Sequence, residues 1–246
     1  MPSTSCLTAV ATTTATRILD SVRVAHVGGT MRTADQRRTD AALLLTLWAK
    51  AAETPVVDAG DKLWQMKLAF LVALDLVDAR VQGLNLSFYR WTWGPLSNEV
   101  YEAWDDLTAS KLVQADEHFV FTRTGLDLAQ AFYQEVVCGE PNLLVREAVD
   151  RVAGAWHGQP VTARILKHVY DLEIAPCGDE SLSPLPIRNI ERGVELIEPV
   201  PRSEAAGWLT IEPGWLETLA LTFNAEARTS LEGAIASFRS GHVIVG

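Results

Sequence analysis

Cysteine is scarce in this chain. Its 246 residues include three, Cys6, Cys138 and Cys177, an odd number spread far apart. That pattern speaks against a disulfide framework and suits a reducing compartment, so a cytoplasmic protein is expected. No apolar run reaches the ~18 residues of a membrane-spanning helix, and no membrane partner is expected. The N-terminus lacks a basic segment followed by an apolar core, so no secretory signal is expected. Positive charge is also short: 21 Lys and Arg face 31 Asp and Glu, a net charge of −10. Phosphate contacts need Lys and Arg, which speaks against sequence-independent nucleic-acid binding. Catalytic signatures are missing too. There is no Gly-x-x-x-x-Gly-Lys loop, no Cys-x-x-Cys and no His-Glu-x-x-His. His157 and His168 stand too far apart, across a proline, for a zinc pair on one helix. Cys138 follows a helix end, where the dipole disfavours a thiolate. No metal, cofactor or enzymatic activity is expected.

What the chain has is apolar residues, 48% of the total, and eight tryptophans. That is enough to bury a sizeable core. The stretch FYRWTWGPLSNEVYEAWDDL, residues 88–107, organises the rest. It alternates at period two from Phe88 to Trp93, which predicts a strand. Gly94 permits an unusual backbone angle, and Pro95 suits a helix first turn. Leu96, Val100, Ala103, Trp104 and Leu107 then share one helical face, with Glu99, Glu102 and Asp106 opposite. Tyr89, Trp91, Trp93, Tyr101 and Trp104 have the spacing of a core between strand and helix. A base-stacking platform is the competing reading of those rings.

In chain order, residues 1–40 are low in complexity and predict a mobile tail. Residues 41–53 predict a short helix with Asp40 as N-cap. After a turn around Pro55, a second helix is expected from Asp61 to Asp78. Its apolar run Leu68–Leu74 places it at the core centre, with Lys62, Gln65 and Lys67 marking exposed first turns. After a helix over 95–110, two short strands flank a turn at 114–117. Thr122 or Thr124 then caps a helix to Val137. The order helix, helix, strand, helix, ribbon, helix is that of a winged helix-turn-helix. Two amphipathic helices follow, opened by Pro141 and Pro160. Residues 175–206 read as a linker with a strand over Val194–Val200. Residues 207–246 read as a small appendage: a strand at 209–211, a helix opened by Pro213, and a helix over 225–238 ending at Gly241. The fold expected is mainly α with a small β element (α+β), with a helical domain over 41–174.

Three pieces of the run from Lys62 to Leu112 resemble the Panacea, or SocA-like, domain. These are Lys62-Leu63 with Lys67-Leu68-Ala69-Phe70, the corner Trp91-Thr92-Trp93-Gly94-Pro95, and Val100-Tyr101 followed by Trp104. The resemblance covers roughly residues 41–172, and the corner is its most specific part. It implies an antitoxin that binds and neutralises a protein toxin encoded by a neighbouring gene.

A winged-helix transcriptional regulator is the alternative. Its reading helix would be that over 95–110, which carries Glu99, Glu102, Asp105 and Asp106 and no basic residue before Lys111. That is the wrong charge for a phosphate-lined groove. Asp105-Asp106 reads as a solvated charge pair, not an acid–base pair. Glu99, Glu102 and Asp106 are therefore expected to meet a basic protein partner. Arg90, facing opposite the rings, is expected to be either a surface ion pair or a fourth partner contact.

Overall fold

The computed structural model describes residues 32–52, 60–115, 119–159, 161–175, 177 and 183–240. It is mainly helical, with several short strands. Helix α1 runs Ala34–Ala51, and α2 runs Lys62–Asp78. Strands β1 (Val81–Gln82), β2 (Phe88–Trp91) and β3 (Gly94–Leu96) lead to α3 (Asn98–Ala109). The ribbon β4 (Val113–Ala115) and β5 (Phe119–Phe121) precedes α4 (Arg123–Phe132), which continues as one π-helical turn over Tyr133–Val137. Helices α5 (Leu143–Trp156) and α6 (Thr162–Asp171) follow. Strands β6 (Glu173–Ile174), β7 (Leu185–Pro186), β8 (Glu195–Ile197) and β9 (Gly207–Trp208) come next. Helices α7 (Pro213–Thr222) and α8 (Ala225–Arg239) complete the described chain.

The start of α1 differs from expectation. Thr33 is the N-cap: its side chain accepts from Gln36 N, and the Gln36 side chain accepts in return from Thr33 N. This reciprocal capping box satisfies two otherwise orphaned donors. Residues 32–40 are thus ordered, while residues 1–31 of the expected tail lie outside the described residues. Asp40 is not a cap. It sits inside α1, fully buried. Every residue of α1 from Thr39 to Trp48 is buried, because α3, α4, α5 and α7 surround it. A helix walled in this way shows no polar face.

Helix α2 begins as expected, with Asp61 accepting from Trp64 N. Its run Leu68–Ala73 is buried. Gln65 and Lys67, however, are buried as well, so its first turns are not exposed. Gln65 is held by the two indoles it serves: its carbonyl accepts from Trp48 Nε1 (3.1 Å) and its Oε1 from Trp104 Nε1 (2.8 Å).

The organising stretch opens with a hairpin, where a single strand turning at Gly94-Pro95 straight into the helix was expected. β2 pairs antiparallel with β3, matching Tyr89 with Leu96, Arg90 with Pro95 and Trp91 with Gly94. Thr92 and Trp93 form the turn. Pro95 therefore lies in a strand, and Ser97 caps α3 through Val100 N. β8 joins the other edge of β2, giving the order β3-β2-β8. β1 and β9 pair in parallel. The expected strand at 209–211 lies slightly earlier, at Gly207–Trp208.

These pairings overturn the expected linker and much of the appendage. Ile187, Ile190, Leu196 and Ile197 are buried in the core shared with α1 and α2. Leu219 of α7 is fully buried, and Trp215 meets Phe132 edge-on at 5.6 Å. Among the described residues, only α8 behaves as an appendage, with no buried residue. The expected turn at Pro55, residues 116–117 of the turn after β4 and the Gly241 cap lie outside the described residues.

One glycine is fixed by a close approach. A Cβ on Gly125 would lie 2.0 Å from the Leu112 carbonyl oxygen. That same oxygen accepts from both Thr122 N and Thr122 Oγ1, and Thr122 Oγ1 caps α4 by accepting from Gly125 N. Gly125→Ala would force the helix start off its capping point. It should cost about 3 kcal/mol, read as a lower midpoint in urea unfolding. An unchanged midpoint would show that α4 shifts freely.

Candidate functional site

The hairpin turn projects Trp93, 38% exposed, while Tyr89, Tyr101 and Trp104 are buried and Trp91 is partly so. Trp93 is thus not a core ring: the chain turns at Thr92, and the period-two pattern stops there. Beneath the turn lies a compact polar cluster. Gly94 has φ +88°, a left-handed angle suited to glycine. The Pro95 carbonyl accepts from Lys67 Nζ. Tyr170 donates its hydroxyl proton to the Thr92 carbonyl at 2.8 Å. Arg90 lies over the Tyr170 ring, its guanidinium carbon 5.2 Å from the centroid, and Nε donates to the Ile187 carbonyl at 2.8 Å.

Arg90 is 8% exposed. It is therefore neither a surface ion pair nor an open partner contact, contrary to expectation. The sequence placed it opposite the rings but held no sign of Ile187 and Tyr170, which close over it from later in the chain. Its Nη1 is buried with no hydrogen-bond partner among the described residues. Burial, joined by the Arg90 charge and opposed by Asp61, pushes the Lys67 ammonium down to about 7.

The three expected carboxylates lie together on α3, but they are not free. Glu102 pairs with Arg32 at 2.5 Å, and Asp106 with Arg37 at 3.0 Å. Glu99 accepts from Ser97 Oγ at 2.8 Å. Both arginines come from the beginning of the described chain, in the stretch expected to be mobile. Arg32 also reaches Asp40 at 2.9 Å. Asp40 accepts in addition from the backbone and side chain of Asn85, at 3.0 and 3.1 Å. Burial outweighs these partners and raises the Asp40 carboxyl to about 6. The acidic row thus carries two arginines across it. Its charge towards a partner is smaller than the sequence implies.

A cleft of about 300 Å³ opens beside this node, lined in part by Gln36, Gln82, Asn85 and Trp208. Gln36 and Gln82 both donate to Asn85 Oδ1, so these amides mostly serve one another. The His157 ring meets the Lys50 carbonyl at 3.0 Å, and the His168 ring packs on Trp156. Among the described residues, no three His, Cys, Asp or Glu side chains gather as a metal site requires.

The last surface is α8. Leu231, Ile235 and Phe238 are exposed, Phe238 by 76%. They fall at i, i+4 and i+7, one stripe along the helix. Arg228 fastens the base of α8 by donating to the Ser110 carbonyl at 2.8 Å and to the Thr222 carbonyl at 3.1 Å. Beyond that base the helix is exposed. The sequence showed the helix itself but not that the rest of the described chain leaves it uncovered.

No protein-family model, curated protein or solved structure matches this chain.

Proposed function

We propose that this protein is a Panacea-like antitoxin, which neutralises a cognate protein toxin by direct binding in the cytoplasm. The observation that supports this best is the apolar stripe of α8. An isolated helix of this length is marginal in water, and its stability normally comes from packing an apolar face. Among the described residues nothing covers Leu231, Ile235 and Phe238, and contiguous exposed apolar surface marks protein-binding sites. The proposed mechanism is steric, with the complex covering the toxin's active site. The α3 carboxylates supply a second, weaker contact, since Arg32 and Arg37 already compensate part of their charge.

The alternative reading, a winged-helix regulator, would use the α3, β4–β5 ribbon and α4 arrangement on DNA. Glu99, Glu102, Asp105 and Asp106 on α3 oppose it, as does the net charge of −10. No helix among the described residues is long and apolar enough to cross a membrane.

The test is to express the neighbouring gene with and without this one and to score growth. Replacing Leu231, Ile235 and Phe238 together by serine should abolish rescue while leaving the melting temperature nearly unchanged. Charge reversal at Glu99, Glu102 and Asp106 should weaken rescue less. Rescue that survives both sets would move the contact elsewhere. Tight binding to the gene's own promoter, with no rescue of any neighbour, would sink the antitoxin reading in favour of a regulator.

A further inference from the structure

We propose that the Gly94–Pro95 corner is an oxyanion-binding site, in which a carboxylate or phosphate seats against Arg90 Nη1 and Lys67 Nζ. This inference is independent of the antitoxin reading.

Two basic side chains are buried here with no counter-ion in hydrogen-bond contact among the described residues. Arg90 is 8% exposed and Lys67 1%. Arg90 stays charged at any ordinary pH and carries five N–H donors. Nε is used by the Ile187 carbonyl, while Nη1 has no acceptor among the described residues. The Lys67 ammonium has three donors and meets the Pro95 carbonyl. Pro95 lies directly opposite Arg90 in the hairpin, which brings both groups to one corner. Asp61 is the carboxylate that acts on Lys67, but it acts through space, without a hydrogen bond to the ammonium. Oδ1 accepts from Trp64 N and Oδ2 from Thr162 Oγ1. Buried charges in folded proteins are normally paired, because an uncompensated one is costly. An anion would compensate both groups.

Gly94 also stands directly beside the ammonium. A Cβ on Gly94 would sit 3.6 Å from Lys67 Nζ and 3.8 Å from Tyr170 Cζ, both ordinary contact distances. The side-chain-free position therefore borders the ammonium and lets the backbone lie close to it. Arg90's fork suits the two oxygens of a carboxylate or phosphate, a geometry that a spherical halide does not use.

The experiment is thermal unfolding of the full chain in sodium acetate or sodium phosphate, against sodium chloride at matched ionic strength and near-neutral pH. At least one oxyanion should raise the melting temperature by about 4 °C or more over chloride. Acetate acting alone identifies a carboxylate site, phosphate acting alone a phosphate site, and both together a site for either. Arg90→Lys, which keeps the charge but loses the fork, should reduce the shift at least by half, and Arg90→Met should remove it. Should Arg90→Met fail to fold, Arg90→Lys and Lys67→Met carry the test. No rise beyond chloride overturns the site. A rise undiminished in Arg90→Lys and Lys67→Met also overturns it, by placing the anion elsewhere.

Discussion

Trp104→Ala lowers the unfolding free energy by about 4 kcal/mol in the expected result. The indole joins four groups at the centre of the fold. It stacks on Trp48 at 5.9 Å and meets Tyr101 edge-on at 5.1 Å. Its N–H donates to buried Gln65 Oε1, and the Lys62 ammonium lies 5.5 Å from its ring. Truncation opens a cavity between α1 and α3 and also takes the indole donor away from Gln65. Trp104→Phe keeps most of the apolar volume but not the donor. It should cost less, about 1–3 kcal/mol, chiefly from the lost hydrogen bond. Urea unfolding of the two variants separates the terms. Equal losses would show that the Gln65 bond, not the ring volume, carries the effect.

Lys67→Met should stabilise the protein and flatten its pH dependence. The folded-state ammonium titrates near 7, against an ordinary value of 10.5. Between those values the unfolded chain holds a proton that the folded chain has lost. Stability therefore rises with pH across that window, and the contribution is lost as pH falls towards 7. At neutral pH the penalty is of order 3–5 kcal/mol. Methionine removes it but leaves the Pro95 carbonyl without this donor, which costs ~1–3 kcal/mol. The net expected gain is about 2 kcal/mol near pH 7. The groups that bear on Lys67 are Arg90 on β2, Asp61 at the start of α2 and, across Gly94, Tyr170 on α6. Asp40 acts in a separate window. Its folded value is raised from 3.8 to about 6, so its contribution is present below 3.8 and lost as pH rises through 6. Denaturant midpoints from pH 7 upward, measured in chloride, isolate Lys67. A Lys67→Met variant less stable than wild type, with a parallel pH slope, would show that the buried ammonium stabilises the fold.

Helix α2 was legible because two independent signals agree, an Asp at its N-cap and an unbroken apolar run. The capping box at Thr33 and Gln36 was equally local and was hidden by the polar composition around it. Asp40 mimics a cap, since an acidic residue just before an apolar run is what a cap looks like. Its actual role depends on Asn85, forty-five positions away. Lys67 reads as exposed because burying an ammonium is costly, and only the folded hairpin puts a carbonyl above it. Arg90 was singled out from alternation alone, but its surroundings come from Ile187 and Tyr170. Local patterns of charge and apolarity reveal elements, whereas the partners of buried polar groups are set by tertiary placement. That is why the carboxylates on α3 could be seen while the arginines crossing them could not.

The β3-β2-β8 sheet also has a consequence for synthesis. β2 ends at Trp91, and its outer neighbour begins only at Glu195. β1 waits still longer, for Gly207. During translation, therefore, both early strands emerge long before their later partners. Unpaired edges of this kind are templates for association with other chains. Pairings so distant in sequence also slow folding, because a long loop must close before they form. A nascent chain released before residue 195 has the whole organising hairpin but lacks the strand that seals it.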